Sequence, residues 1–427
     1  MGHFPQWGGR FPKSCFSRVA WAGSLAAYLT LNGIPMKFFN VRTTLLFGLL
    51  LAGVAFMSYA FRPAGIASSP MPKPTAGNGA ASPTKKIKIA LLLDTSNSMD
   101  GLIDQARAQL WTIVEELAKA KCDGGKPQVQ IALYEYGNDR LPASEGYIRM
   151  VTPLTDDLDK LSADLYSLTT RGGNEFCGYA IQTACRELDW SADGDDFQAI
   201  FIAGNEPFTQ GNVSYQEACA LAKRKHIVVN TIHCGGHDEG IATSWKAGAD
   251  LTGGNYMSIE QDRKTVFIPS PYDPKIAELN TRLNDTYLEY GTRGKEKKAN
   301  QQMQDNNASR YGQENTVKRA LSKSTHIYKN STWDLVDASA EKEFEVEKIK
   351  TEDLPEPMKN MDKNQKTQYI AAKKAERDRI KAEIGRLNAQ REAYLAKQRQ
   401  DAGDDKTLDK AMLQSIRKQA ATKKLSF

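Results

Sequence analysis

Lys86-Ile-Lys-Ile-Ala-Leu-Leu-Leu-Asp94-Thr-Ser-Asn-Ser-Met99 is the stretch whose reading decides the fold. Ile89 to Leu93 is an unbroken apolar run, the length of one strand buried on both faces of a parallel sheet. It stops at Asp94, and side-chain oxygens then recur at alternate positions: Asp94, Ser96 and Ser98. Beyond them Leu102, Ile103, Ala106, Leu110, Ile113, Val114 and Leu117 repeat at helical spacing. Strand, oxygen-bearing loop and amphipathic helix form the arrangement in which open α/β sheets hold ligands, outside the carboxyl ends of their strands. One carboxylate with two hydroxyls suits a hard divalent cation, Mg²⁺ or Mn²⁺.

The pattern continues outward. Strands are expected near 87–94, 128–135, 147–152, 198–204, 227–233 and 255–259, and helices near 101–121, 157–168, 176–189, 214–225 and 239–251. This alternation predicts a doubly wound, mostly parallel six-stranded α/β sheet with helices on both faces. The second and third strands have no helix between them, which makes one an antiparallel edge.

The Asp-x-Ser-x-Ser loop, at the end of an apolar strand and the start of an amphipathic helix, resembles the metal-ion-dependent adhesion site of von Willebrand factor type A domains. That resemblance implies two further loops contributing oxygens. The second usually reads Gly-Gly-Thr and here reads Gly172-Gly-Asn174-Glu175; the third usually carries Asp and here reads Gly204-Asn205-Glu206. Two arrangements satisfy the chemistry. Either the Asn174 and Asn205 carbonyl oxygens ligate without adding charge, or Glu175 or Glu206 swings in and restores it. The resemblance further implies a protein partner whose carboxylate replaces a water on the cation. Arg171, Phe176 and Phe208, with Tyr215 near them, are the expected partner-binding rim. Cys177 and Cys234, both expected at the upper rim of the sheet, are the expected disulfide among five cysteines beyond the leader. His233-Cys234-Gly-Gly-His237-Asp238 has residue types suited to Zn²⁺ or Cu, but four ligands within six residues rarely reach tetrahedral geometry.

At 427 residues the chain exceeds one domain. Residues 1–62 read as a leader: Thr43 to Phe61 is uncharged and apolar between Arg42 and Arg62, and a start at Met36 gives a compact signal-peptide or anchor pattern. Residues 63–85, with five prolines among Ala, Gly and Ser, form a linker. Residues 86–262 are the α/β domain, 263–350 a helical region, and 351–427 a charged, helical, coiled-coil-like tail; lacking three clean heptads, these helices are expected to pack on one another or on the globular domain, an extended coiled coil being the weaker alternative. In that tail 351–366 and 400–427 are expected to lack structure, and Arg391 interrupts the seam Ile380, Ile384, Leu387, Tyr394.

The net charge of +6 is too small over this length to argue nucleic-acid binding, and basic and aromatic residues do not interleave. No Gly-x-Ser-x-Gly elbow, phosphate-binding Lys loop or His-Glu-x-x-His helix occurs, so no enzyme is expected. The sequence therefore favours an exported, cation-dependent protein-binding module of the bacterial cell envelope, reaching the membrane through residues 43–61 if they are retained. The alternative is an envelope scaffold with a metal-free rim, acting and self-associating through its helical tail.

Overall fold

The computed structural model describes residues 85–427 except 124, 193, 263–267 and 399–406. The leader, and the linker up to Thr84, lie outside the described residues. Six strands form one sheet: β1 (Lys86–Asp94), β2 (Gln128–Tyr136), β3 (Ile148–Thr155), β4 (Phe197–Gly204), β5 (Val228–Cys234) and β6 (Tyr256–Ile259). Their order is β3-β2-β1-β4-β5-β6. Every pairing is parallel except β2 with β3, the antiparallel edge.

β1 lies at the centre and is apolar throughout because both of its faces are covered. Ile87, Ile89, Leu91 and Leu93 face α1 (Asp100–Leu117) and α2 (Leu158–Ser167). Ala90 and Leu92 face α3 (Cys177–Glu187), α4 (Tyr215–Arg224) and α6 (Trp245–Asp250). The single helix expected over 239–251 is two short ones, α5 (His237–Ala242) and α6. The break falls at Ser244, whose φ of +74° no helix accommodates.

The C-terminal half is helical and packs on the α/β domain, as the favoured reading of its sequence has it. It comprises α7 (Asp273–Asn284), α8 (Gly294–Arg310), α9 (Gln313–Ser324), α10 (Leu335–Ala338), α11 (Lys363–Gln398) and α12 (Leu408–Ala421). These helices do not extend away from the sheet. Ile276, Leu283, Val317, Leu321, Ile384 and Ile416 share one apolar core with the β1 face that α1 covers. The 36-residue α11 is accordingly no coiled-coil strand, because its seam packs on α7 and α9. Arg391 does not break that seam: at 1 % exposure its Nε donates to Asp273 Oδ1 at 2.8 Å, so the interruption is a buried ion pair.

Nor do 351–366 and 407–427 lack structure, while residues 400–406 of the expected span lie outside the described residues. Leu354 and Met358 are buried with Leu288, Leu335, Val336 and Ile370 in a smaller cluster held by single 3₁₀ turns. α12 lies against α1 and the β4–β6 side of the sheet. Its first amides are capped from outside, Leu408 N by Gln105 Oε1 at 3.1 Å and Asp409 N by Gln109 Oε1 at 2.8 Å. Gln419 exchanges buried side-chain hydrogen bonds with Asn230 of β5, and Lys121 pairs with Ser426. The helix that completes this face of the sheet thus comes from the end of the chain. No helix among the described residues is long and apolar enough to cross a membrane.

Candidate functional site

β1 delivers Asp94 to the upper end of the sheet, and the loop after it is stitched to its neighbours through the backbone. Thr95 N donates to Tyr136 O at 2.8 Å, and Arg171 N donates to Thr95 O at 2.9 Å. Asp94 is fully buried. Its Oδ1 accepts from Ser96 N at 2.7 Å, while Oδ2 is buried without a hydrogen-bond partner. Ser96 Oγ and Ser98 Oγ are 3.4 Å apart, and Gln261 Nε2 holds the Ser98 carbonyl at 2.9 Å.

The other two loops reach this point through glycines. A Cβ on Gly173 would lie 2.1 Å from Gly137 O, so only glycine lets the second loop press so closely on the end of β2. That approach seats Glu175, not Asn174: Glu175 is 6 % exposed, and Asn174 is exposed to solvent. In the third loop a Cβ on Gly204 would lie 2.5 Å from Tyr136 Oη and 3.0 Å from Asp94 Oδ2. Asn205 follows, donating from Nδ2 to Ser98 Oγ at 3.2 Å and leaving Oδ1 buried and unpartnered. Gln210, which no sequence pattern marks, ties the second and third loops together. Its Oε1 accepts from Glu175 N at 3.3 Å, and its Nε2 donates to Glu206 Oε2 at 3.1 Å.

The electrostatics match a place built for positive charge. Burial, then repulsion from Glu175 and Glu206, pushes the Asp94 carboxyl up to about 7 against the hydrogen bonds from Ser96. Burial and Glu206 likewise push Glu175 up to about 7. No Lys, Arg or His pairs with any of these three acids among the described residues. Buried acceptors without donors cost free energy on the order of 1–3 kcal/mol each, and Asp94 Oδ2 and Asn205 Oδ1 are such acceptors. A hard divalent cation fits this donor set. No cluster of three His, Cys, Asp or Glu side chains poised for a metal exists among the described residues, so the set is mixed: carboxylate, hydroxyl and amide oxygens.

Several expected rim residues stand elsewhere. Phe208 is fully buried, 4.9 Å from the Trp245 ring and 5.4 Å from Tyr215, so it packs the core and is not a rim residue. Phe176 is half-buried against Tyr147, ring centroids 5.6 Å apart. Arg171 is exposed, its Nε 3.0 Å from Asp139 Oδ1. Cys177 and Cys234 are free thiols, not a disulfide. Cys177 belongs to the apolar core on one face of the sheet and Cys234 to that on the other. The same alternation dissolves the 233–238 constellation, since His233 turns towards Trp245, away from the Cys234 side chain.

Residues 88–243 match the family model described as the von Willebrand factor type A domain. Over these residues the chain carries a domain of that family, set within the six-stranded sheet and flanking helices described above. Domains of this family are generally protein-interaction modules and not typically enzymes. Similar solved structures include the conserved hypothetical protein BatB from Bacteroides thetaiotaomicron, 16 % identical over 40 % of this chain and 90 % of that one, TM-score 0.31. The SpRpn10 VWA domain is 19 % identical over 41 % of this chain and 88 % of that one, TM-score 0.30. Proximal thread matrix protein 1 from the mussel byssus, with a zinc-occupied MIDAS motif, is 14 % identical over 42 % and 43 %, TM-score 0.31. No curated protein matches the chain.

Proposed function

We propose that this protein is an exported, cell-envelope protein-binding module whose partner contact is organised by a divalent cation, Mg²⁺ or Mn²⁺, at the upper rim. The observation that carries this reading is the pair of orphaned buried oxygens, Asp94 Oδ2 and Asn205 Oδ1, where three loops meet. Asp94, Ser96, Ser98 and Asn205 would hold the ion, with Glu175 and Glu206 beside them. The bound ion would supply fixed positive charge that rigidifies the three loops and presents them to a partner. Asn174, exposed beyond this set, is a rim residue in this reading. Export rests on the uncharged run Thr43 to Phe61, flanked by Arg42 and Arg62. The alternative, a scaffold joined through its tail, is disfavoured because the apolar seam of α11 is already spent on the chain's own helices.

The test is thermal unfolding of the full chain with and without Mg²⁺ or Mn²⁺. Wild type is expected to melt several degrees higher with the ion, by mass action on the native state. Asp94→Ala and the milder Ser98→Ala should lose that rise. Equal melting curves for wild type with and without either ion would refute the cation reading.

A further inference from the structure

The rim carries more negative charge than one divalent ion can cancel, and this bears on the partner. Resting on the cation-dependent reading above, we propose that the rim recognises a basic protein segment, one presenting Lys or Arg, in place of the carboxylate partner that the family resemblance implies.

The geometry comes first. A single point beside Gly137, where its Cβ would stand, lies 2.7 Å from Asp94 Oδ1 and 3.0 Å from Glu175 Cγ, so these two acids converge. Gln210 ties Glu206 to the second loop, accepting from the Glu175 backbone and donating to the Glu206 carboxylate, and Glu206 lies near enough to repel both Asp94 and Glu175. The buried, unpartnered Asp94 Oδ2 points to a cation within this group. With the ion bound and Asp94, Glu175 and Glu206 all ionised, its two positive charges leave this region of the rim negative. A fourth carboxylate, arriving from a partner, is then repelled, whereas an ammonium or guanidinium is attracted.

The surroundings have the same sign. Asp139 and Asp262 are exposed on loops at this end of the sheet, and Asp100, Asp238 and Glu239 are exposed in the first turns of α1 and α5. Among the described residues of these segments the strong bases are Arg140 and Arg171; Arg171 and Asp139 offset each other at 3.0 Å, and the remaining acids outnumber the one remaining base. This acidic end belongs to a chain whose overall charge is +6, so its sign is local and not a consequence of composition. Charge complementarity of this kind sets partner choice and association rate. It also excludes nucleic-acid phosphates from the rim.

The experiment measures fluorescence anisotropy of two labelled decapeptides, alternating Lys/Gly and alternating Glu/Gly, against the full chain in Mg²⁺. The basic peptide is expected to bind at least about tenfold more tightly and to weaken as salt rises. Glu175→Gln combined with Glu206→Gln should weaken it about tenfold. Glu341→Gln combined with Glu343→Gln, remote and exposed, should leave it unchanged. Tighter binding of the acidic peptide, binding of neither, or an equal loss in the remote variant overturns the proposal. The Mg²⁺-dependent melting rise is scored separately. If it is present and the acidic peptide wins, only the basic-partner proposal falls. If it is absent, the cation reading falls, whichever peptide binds.

Discussion

Asn205 Nδ2 stands 3.2 Å from Ser98 Oγ, and the same amide leaves its Oδ1 buried with nothing to accept from. The two residues stand on the loops that follow β4 and β1, strands which run side by side in parallel. The adjacency of the strands therefore builds the contact. Side chains 107 positions apart in sequence meet because parallel neighbours end at the same level.

Asn205→Asp should strengthen cation binding. It places a charge where a neutral oxygen now sits, and isothermal titration with Mn²⁺ should show a tighter Kd than wild type. The apo protein should melt lower, since another carboxylate joins Asp94, Glu175 and Glu206 without a counter-charge. A variant that binds Mn²⁺ more weakly would remove Asn205 from the ligand set.

Ile416→Ala should cost about 2–4 kcal/mol, because Ile416 is fully buried between α12 and the sheet. Chemical denaturation should show one cooperative transition for the α/β domain and α12 together. A separate early transition in the variant would mean that α12 is an appendage.

Arg377→Ala should be among the most damaging single changes in the helical half. Arg377 is 2 % exposed, its Nη1 lies 2.6 Å from Asp334 Oδ2, and its guanidinium stacks 3.9 Å from the Tyr287 ring centre. Removing it leaves Asp334 buried and unpaired, a loss of about 3–5 kcal/mol. Urea midpoints of wild type and variant at equal m-value measure this.

Asp305 predicts an acid-sensitive contribution to stability. Burial opposes its ionisation, but Lys323 and Arg319, at 2.9 and 2.8 Å, outweigh it and hold the carboxyl well below its ordinary 3.8. A carboxylate whose value is depressed by folding stabilises fully above the unfolded value and loses that contribution as pH falls below it. Asp305→Asn should therefore be less stable near neutral pH, and its stability should fall less than that of wild type between about pH 5 and about pH 2.5. Parallel declines in the two proteins would contradict the assignment.

Much of the α/β half was legible in the sequence. The 89–93 run and the 102–117 stripe predict their elements because burial on two faces and on one face leave different periodicities. The second and third loops were legible only as places. Which member of Asn174-Glu175 turns inward depends on Gly173 pressing against Gly137, a contact between segments distant in sequence. Phe208 misled for a related reason: a loop aromatic looks like a rim residue until Trp245 and Tyr215 are seen to enclose it. In the helical half the packing was legible but its extent was not: the charges suggested solvent, yet Arg319, Arg377 and Arg391 are buried against acids from other segments.

By itself the sequence determined the order of elements, the doubly wound class and the oxygen-bearing loop after β1, because these follow from local hydrophobic periodicity and from where a buried strand must end. The tertiary structure alone decided three further matters. Glu175 enters the centre while Asn174 stays outside; the two cysteines expected to bond lie on opposite faces of the sheet; and the last helix returns to cover the first. Each depends on which remote surfaces meet, and pairing across hundreds of residues leaves no period in the chain to read.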